Sequence, residues 1–179
     1  PTLSGTSDAV EGTVINFTVV DDQGNTQTFT TTVDADGNFS VEVPTALAEG
    51  PYSIEASISD AAGNSTDIAS DGTIDTTAPS VSVDAPVLTN DSTPTVTGTS
   101  DAPNSTITVT FTDAANAVQT IDVQTDASGN WSVTPSGDLA EGNYNVSASI
   151  TDAAGNTGTG KDTGEVDITA PDLEIIPSF

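Results

Sequence analysis

The sequence predicts an all-β protein made of two tandem β-sandwich modules of about 92 residues each, arranged end to end. The first observation is an internal repeat, since residues 60–64 (Asp-Ala-Ala-Gly-Asn) return unchanged at 152–156. The second is that apolar residues alternate with Thr and Ser in short runs, which is the pattern of half-buried strands. The third is that no stretch shows helical periodicity, so no helix competes for these runs.

The repeat sets the boundaries of the modules. Residues 1–8 correspond to 94–101, and the linker 75–79 (Asp-Thr-Thr-Ala-Pro) corresponds to 167–171 (Asp-Ile-Thr-Ala-Pro). We therefore assign residues 1–77 to a first module, 78–170 to a second, and 171–179 to the start of a further module or a C-terminal tail. The first module lacks the counterpart of the strand predicted around 79–84, and the sequence is expected to be a piece of a longer array.

The second module shows the strand pattern most completely. Seven strands with turn residues between them are expected of an immunoglobulin-like sandwich. The segment 139–144 (Leu-Ala-Glu-Gly-Asn-Tyr) also predicts a tyrosine corner, in which the hydroxyl of Tyr144 bonds backbone at the turn between two strands; the alternative is a plain core tyrosine. The apolar residues of the seven strands are, in order, Val81 and Val83; Val96; Ile107, Val109 and Phe111; Ile121 and Val123; Trp131 and Val133; Tyr144, Val146, Ala148 and Ile150; and Val166 and Ile168.

The composition excludes many functions. The chain has 27 acidic side chains and a single basic one, for a net charge of −26, so it offers no basic surface for nucleic acid or anionic membranes. It has no His and no Cys, which excludes Ser-His-Asp and Cys nucleophiles, disulfides, and His or Cys metal sites. No run of apolar residues is long enough to span a membrane. Chemistry based on carboxylates alone remains, namely hard cations or a two-carboxylate hydrolase.

The acidic residues are concentrated in predicted loops. If strands alternate in direction, the loops of the second module that carry Asp101, Asp126 and Asp152 share one pole, which the linker residue Asp75 enters. Asp21 and Asp22 lie in a loop at the facing pole of the first module. We expect five or six carboxylates to converge on this junction.

Such a convergence needs a cation. Two like charges about 5 Å apart cost roughly 3 kcal/mol at an effective dielectric of about 20, and one lysine cannot offset several such pairs. Ca²⁺ fits best, because it takes about six to eight oxygen ligands and tolerates irregular geometry. The alternative is that each aspartate only supports a tight turn, with its carboxylate bonded to local backbone.

Five motifs together carry a family resemblance: Thr-Gly-Thr-Ser-Asp, Gly-Asn-Trp-Ser-Val, Leu-Ala-Glu-Gly-Asn-Tyr, Thr-Asp-Ala-Ala-Gly-Asn and Asp-Thr-Thr-Ala-Pro. The chain resembles the bacterial immunoglobulin-like extender repeats of large surface adhesins, including biofilm-associated and RTX adhesins exported by type I secretion. The resemblance implies an extracellular segment at the bacterial cell surface, in which Ca²⁺ stiffens tandem repeats that project a ligand-binding region. The candidate calcium ligands are Asp75, Asp101, Asp126 and Asp152, the equivalent Asp8, Asp34 and Asp60, the second linker residue Asp167, and Asp21 and Asp22.

Two rival functions are weighed. A carbohydrate- or protein-binding module usually shows exposed aromatic residues or arginine, whereas Trp131, Tyr52 and Tyr144 fall at positions expected to face the core and arginine is absent. A glycosidase needs a cleft that a sandwich of this size does not form. We expect a non-enzymatic monomeric rod whose partners are neighbouring repeats, without nucleic acid, membrane insertion or a small-molecule substrate. Whether the terminal strand at 173–176 pairs between molecules is left open.

Overall fold

The computed structural model describes residues 1–176, which form strands and turns and contain no helix. The chain divides into two compact units, the first spanning Pro1–Thr76 and the second beginning at Thr77. Each unit has the same two sheets, a large one of four strands and a small one of two. The predicted all-β fold of two tandem immunoglobulin-like sandwiches is therefore confirmed.

The first unit contains six strands, and neighbouring strands run antiparallel. The large sheet has the order β3-β2-β5-β6, and the small sheet pairs β1 with β4. Two buried clusters fill the space between the sheets, one around Phe17 and one around Val19. The ring of Phe17 stacks on Phe29 at a centroid distance of 5.6 Å. The strands are β1 (Thr2–Thr6), β2 (Val14–Val20), β3 (Thr26–Thr32), β4 (Asn38–Glu42), β5 (Gly50–Ser59) and β6 (Ser65–Ile74).

The second unit repeats this topology, with β9-β8-β11-β12 as the large sheet and β7 paired with β10 in the small one. Its core is a single buried cluster that includes Phe111, Trp131 and Tyr144. Residues on β11 alternate between buried and more exposed positions, as their period-2 pattern predicts. The strands are β7 (Val96–Thr99), β8 (Thr106–Thr112), β9 (Val118–Gln124), β10 (Asn130–Val133), β11 (Gly142–Thr151) and β12 (Thr157–Val166).

The first predicted strand of the second unit is an extended segment joined by isolated bridges. Val81 and Asp84 pair antiparallel with Ser100 and Thr97, on the outer edge of β7. A few residues later the chain crosses to the other sheet, where Thr89 forms a parallel bridge to the end of β12. We call residues 80–84 the A segment. It closes the open side of the sandwich between β7 and β12.

The last predicted strand was placed wrongly. The sequence predicted Val166 and Ile168 as its apolar residues, but β12 occupies Thr157–Val166 and Ile168 is 56% exposed. Three inward positions of β12, at 158, 160 and 164, carry glycine instead of apolar side chains. A Cβ atom at Gly158 would collide with the carbonyl oxygen of Pro79, and one at Gly160 would meet the backbone of Val81. The A segment approaches β12 so closely that glycine replaces the pattern on which the prediction depended.

Candidate functional site

Six hairpin turns share one local structure, and five of them contain aspartates predicted as calcium ligands. In each turn the N–H of the first residue, an aspartate, donates to the carbonyl of the fifth residue at 2.8–3.1 Å. The fourth residue has a positive φ, between 62° and 96°, and is glycine in five turns. The turns span residues 21–25, 34–38, 60–64, 113–117, 126–130 and 152–156.

The turn at Asp60 shows how the carboxylate is used. Its Oδ1 accepts the backbone N–H groups of Ala62 and Asn64 at 2.9 Å each. Its Oδ2 accepts the side-chain amide of Asn64 at 2.7 Å. Gly63 has φ 90° and closes the turn, a backbone conformation that side chains other than glycine and asparagine disfavour. The sequence Asp-Ala-Ala-Gly-Asn is thus a complete turn motif.

These hydrogen bonds lower the pKa of the turn carboxylates. The side-chain amide of Asn64, together with its backbone N–H, lowers the pKa of Asp60. The amide of Asn156 lowers the pKa of Asp152 in the same way, and the N–H of Asn130 does so for Asp126. Donors that point at the ionised form favour it. The carboxylates are therefore already satisfied in part by their own turns.

Asp21 and Asp113 make a further contact that the other turn aspartates do not. Oδ2 of Asp21 accepts the N–H of Ala48 at 3.2 Å, and Oδ2 of Asp113 accepts that of Ala140 at 3.0 Å. Both aspartates are buried, at 6% and 7% exposure. Each one ties its turn to the loop that precedes the long strand β5 or β11. Asp22 lies beside this contact, with its side chain against Gly50.

The other predicted ligands lie at exposed positions. Asp101 accepts the N–H of Ser80 at 2.8 Å, which anchors the start of the A segment. Asp8, its counterpart in the first unit, lines a cavity together with Asp36. Asp167 accepts the N–H of Thr169 at 3.1 Å. Asp75 is exposed at the end of the first unit.

Within residues 1–176, no three acidic side chains are gathered closely enough to form a preassembled metal site. The carboxylate accepts the backbone N–H of the fifth turn residue in the turns at Asp34, Asp60, Asp126 and Asp152. This is the geometry expected from the alternative in which each aspartate supports a tight turn. Calcium binding by the predicted aspartates stays a prediction.

Sequence reasoning missed two aspartates that organise the second unit. Asp113 occupies the position of Asp21, but its turn reads Asp-Ala-Ala-Asn-Ala and so lacks the glycine and the final asparagine. Alignment of the two modules would have found it. Oδ2 of Asp162 accepts the N–H of Ala85 at 2.8 Å, and this bond lowers the pKa of Asp162. No sequence motif marked that residue.

Comparison with known proteins assigns the modules. The bacterial Ig-like domain family matches residues 1–76 and again residues 80–168. The chain belongs to the bacterial Ig-like domain family. No curated protein matches it. Within residues 1–176, no helix is long and apolar enough to cross a membrane.

Solved structures show what this pair of bacterial Ig-like domains is similar to. A tetra-tandem repeat from the extending region of a large adhesion protein is 31% identical, with a TM-score of 0.51, over 94% of this chain and 46% of that one. A Ca²⁺-stabilized adhesin that helps an Antarctic bacterium reach out and bind ice is also 31% identical, with a TM-score of 0.50, over 93% and 43%. The chain therefore spans less than half the length of these relatives.

A third structure supports the fold. It belongs to a 1.5-MDa bacterial ice-binding adhesin, described for its host cell surface retention, and is 24% identical with a TM-score of 0.52. The alignment covers 92% of this chain and 56% of that one. Together these comparisons confirm the predicted resemblance to tandem repeats of large bacterial adhesins.

Proposed function

We propose that this chain is an extender segment of a large bacterial adhesin, which separates a distal ligand-binding region from the cell. The observation that carries the proposal is its similarity, at 31% identity over 94% of its length, to a tandem repeat from an extending region. The two bacterial Ig-like domains have matching strand orders, so the chain is a repeat of one structural unit. The role is non-enzymatic, and the partners are neighbouring repeats of the same chain.

The proposal places the chain outside the cell, on the bacterial surface, in adhesion or biofilm formation. The buried positions of Trp131 and Tyr144, at 3% and 0% exposure, support an extender over a carbohydrate-binding module, because sugar sites commonly use exposed aromatic rings. Antibody labelling of intact cells that produce the parent protein tests the location. Labelling only after the cells are lysed would contradict it.

We further propose that Ca²⁺ stabilises and stiffens this segment. The donor set fits a hard cation, since the available ligands are carboxylates, asparagine amides, hydroxyls and backbone carbonyls. Because no three described carboxylates form a cluster, carbonyl, amide and water oxygens would complete each site. The proposed ligands are Asp75, Asp101, Asp126, Asp152, Asp8, Asp34, Asp60, Asp167, Asp21 and Asp22.

Melting and small-angle scattering with Ca²⁺ and with chelator test this proposal. Ca²⁺ is expected to raise the melting temperature and to increase the maximum dimension of the particle. Extracellular modules bind Ca²⁺ with dissociation constants of about 10⁻⁴–10⁻³ M, so the titration has to extend to millimolar concentrations. The same curves with and without chelator would refute calcium stiffening, but would leave the extender role standing.

A matched pair of variants separates a calcium site from an effect of net charge. Asp152→Asn keeps an acceptor oxygen for the backbone N–H of Asn156, but it removes the charge and the acceptor of the side-chain amide of Asn156. It should weaken the Ca²⁺ response, and circular dichroism checks that the fold is retained. Asp67→Asn makes the same change at an exposed position in β6, outside the proposed ligands. Equal loss of the Ca²⁺ response in both variants would show that net charge, and not a site, governs the effect.

A further inference from the structure

In the second unit, the chain between the A segment and β7 runs beside β12. Thr89 forms a parallel bridge to Val166, the last residue of β12. The N–H of Thr89 donates to the carbonyl of Glu165 at 2.9 Å, and the carbonyl of Thr89 accepts the N–H of Asp167 at 2.8 Å. The carbonyl of Val87 accepts the N–H of Glu165 at 3.1 Å. These backbone hydrogen bonds join the early part of the unit directly to its last strand.

Two side chains bind the same stretch of chain. Oδ2 of Asp162, on β12, accepts the N–H of Ala85 at 2.8 Å. The hydroxyl of Tyr144, on β11, donates to the carbonyl of Pro86 at 3.0 Å. Ala85 and Tyr144 are buried, so water competes little for these two bonds. We call residues 85–89 the clamp segment, since both backbone and side-chain hydrogen bonds hold it to β11 and β12.

Glycines on β12 let the preceding chain lie directly against this strand. A Cβ atom at Gly158 would collide with the carbonyl oxygen of Pro79, and one at Gly164 would collide with that of Pro86. Together with the bridge at Thr89, these contacts advance in the same direction along both partners. The chain that enters the second unit therefore runs parallel to β12, in close backbone contact with it.

The parallel direction decides how a pull on the unit acts on these contacts. A pull along the chain reaches the clamp segment through the A segment, and it reaches β12 through the residues that follow Val166. In parallel strands these two forces point in opposite directions along the common strand axis. They slide the strands past each other, so the hydrogen bonds resist together. Strands pulled apart from one shared end would instead lose their bonds one at a time.

We propose that the clamp segment and residues 162–167 form a mechanical clamp, which keeps the second unit folded while the chain is under tension. The clamp rests on the proposed extender role, since a segment between a bound ligand and the cell transmits the force between them. Forced unfolding is governed by the unfolding rate, which is low when native interactions must break before the transition state is reached. Hydrogen bonds that resist together must break together, and this requirement raises the barrier.

Single-molecule force spectroscopy of the whole chain tests the clamp by changing the direction of the pull. The sequence contains no cysteine, so attachment points can be introduced in pairs. Ala78→Cys with Ala170→Cys pulls the second unit at its two ends and slides the clamp segment along β12. Asn90→Cys with Ala170→Cys pulls where the clamp segment and β12 both end, so it peels the two strands apart. All three substituted residues are exposed.

At one loading rate, the sliding pull should require a higher unfolding force than the peeling pull. Equal forces in the two directions would overturn the clamp. They would leave the extender role standing, because that role is tested separately by antibody labelling of intact cells.

Two proline variants test the backbone bonds of the clamp. Thr89→Pro removes the N–H that donates to Glu165, and it should speed unfolding under the sliding pull by about five-fold, the usual effect of losing one such bond. Val87→Pro is the matched control, because the N–H of Val87 makes none of the bonds described above and its side chain is 83% exposed. The control should unfold as the wild type does. A Thr89→Pro variant that unfolds no faster than Val87→Pro would overturn the proposal.

Tyr144→Phe tests the clamp without a change in the backbone. It keeps the ring in the core and removes only the bond to Pro86. It should speed unfolding under the sliding pull more than under the peeling pull, because peeling starts at the other end of the clamp segment. Circular dichroism checks that every variant is folded, and Tyr144→Phe decides the test if Thr89→Pro is not. An equal effect of Tyr144→Phe in both directions would overturn the proposal.

Discussion

The hydroxyl of Tyr144 donates a hydrogen bond of 3.0 Å to the carbonyl oxygen of Pro86. Tyr144 lies buried in β11 and Pro86 follows the A segment, so this bond fastens the segment to the sandwich. Burial, and then the charge of Asp162, raises the pKa of Tyr144. The sequence prediction of a hydroxyl bonded to backbone is confirmed, but its partner is not at the turn between two strands.

Tyr144→Phe is expected to destabilise the second unit by about 1–2 kcal/mol, because it leaves the carbonyl of Pro86 without its donor. The measurement is urea denaturation followed by far-UV circular dichroism, which reports both units, because Tyr52 lies in the first unit and Tyr144 in the second. Tyr52→Phe is the control, since Tyr52 is the equivalent residue in β5 and is partly exposed. It should change stability by less than about 0.5 kcal/mol. Equal losses in the two variants would contradict a specific role for the bond to Pro86.

The sequence alone predicted strands correctly where apolar and polar residues alternate along the chain. β11 was recognised because Tyr144, Val146 and Ile150 are all buried on its inner side. β12 was misplaced because its inner side carries glycine at 158, 160 and 164, where the preceding chain approaches closely. This close approach of the A segment to β12 is a tertiary contact, and no sequence pattern within ten residues of β12 indicates it. Period-2 patterning identifies a strand that packs through side chains, but it misses one that packs through backbone.

Gly158→Ala is expected to destabilise the second unit by about 1–3 kcal/mol, the usual cost of forcing extra atoms into a packed site. Its new methyl group would collide with the carbonyl of Pro79 and displace the start of the A segment. Gly137→Ala is the control, because a Cβ there meets only Gln119 Oε1 at 3.9 Å. Chemical denaturation of both variants gives the comparison. A Gly158→Ala variant as stable as the control would show that the A segment adjusts freely.

Acid should weaken the contact that Asp113 makes between its turn and the next loop. The N–H groups of Ala140, Ala117 and Ala115 lower the pKa of Asp113 from its ordinary value of 3.8. An acid with a lower pKa in the folded state stabilises that state above the unfolded value, and this stability is lost as pH falls through the folded value. We therefore expect stability to decline below about pH 4.

Asp113→Asn removes the titrating group and should flatten this decline, at the cost of lower stability near pH 7. Asp67→Asn, on an exposed part of β6, should follow the wild-type curve. Thermal melting between neutral and acid pH, followed by far-UV circular dichroism, measures the stability of both variants. Parallel curves for Asp113→Asn and the wild type would contradict the assignment.

The sequence predicted the local structure of the aspartate turns better than it predicted which aspartates lie close to one another. The motif Asp-x-x-Gly-Asn identified the turns at Asp60 and Asp152, because its Asp, Gly and Asn each act within the same five-residue turn. Interactions within so short a segment can be recognised in the sequence. The turn at Asp113 was not predicted, because its residue with positive φ is Asn116, at 62°, and not glycine. The contact of Asp113 with Ala140 spans 27 residues and leaves no short motif. A shared metal site likewise depends on contacts between residues that are far apart in sequence. The sequence therefore predicted the turns but not the distances between their carboxylates.

The first unit is expected to unfold before the second on heating. Ile68 on β6 of the first unit is 61% exposed, whereas Val81 and Val83 of the A segment pack against the core of the second unit. Apolar surface left in water contributes nothing to stability, at a loss of about 25 cal/mol per Å². The single tryptophan, Trp131, lies in the second unit, so its fluorescence reports that unit alone.

Far-UV circular dichroism should therefore begin to change at a lower temperature than Trp131 fluorescence. Two core variants assign the transitions. Phe17→Ala, at a site 4% exposed, is expected to lower the first transition only, and Ile107→Ala, at a site 0% exposed, the second only. Truncations of this kind cost about 2–5 kcal/mol, enough to move a transition by many degrees. Coincident changes in both signals, shifted together by either variant, would instead mean that the two units unfold as one.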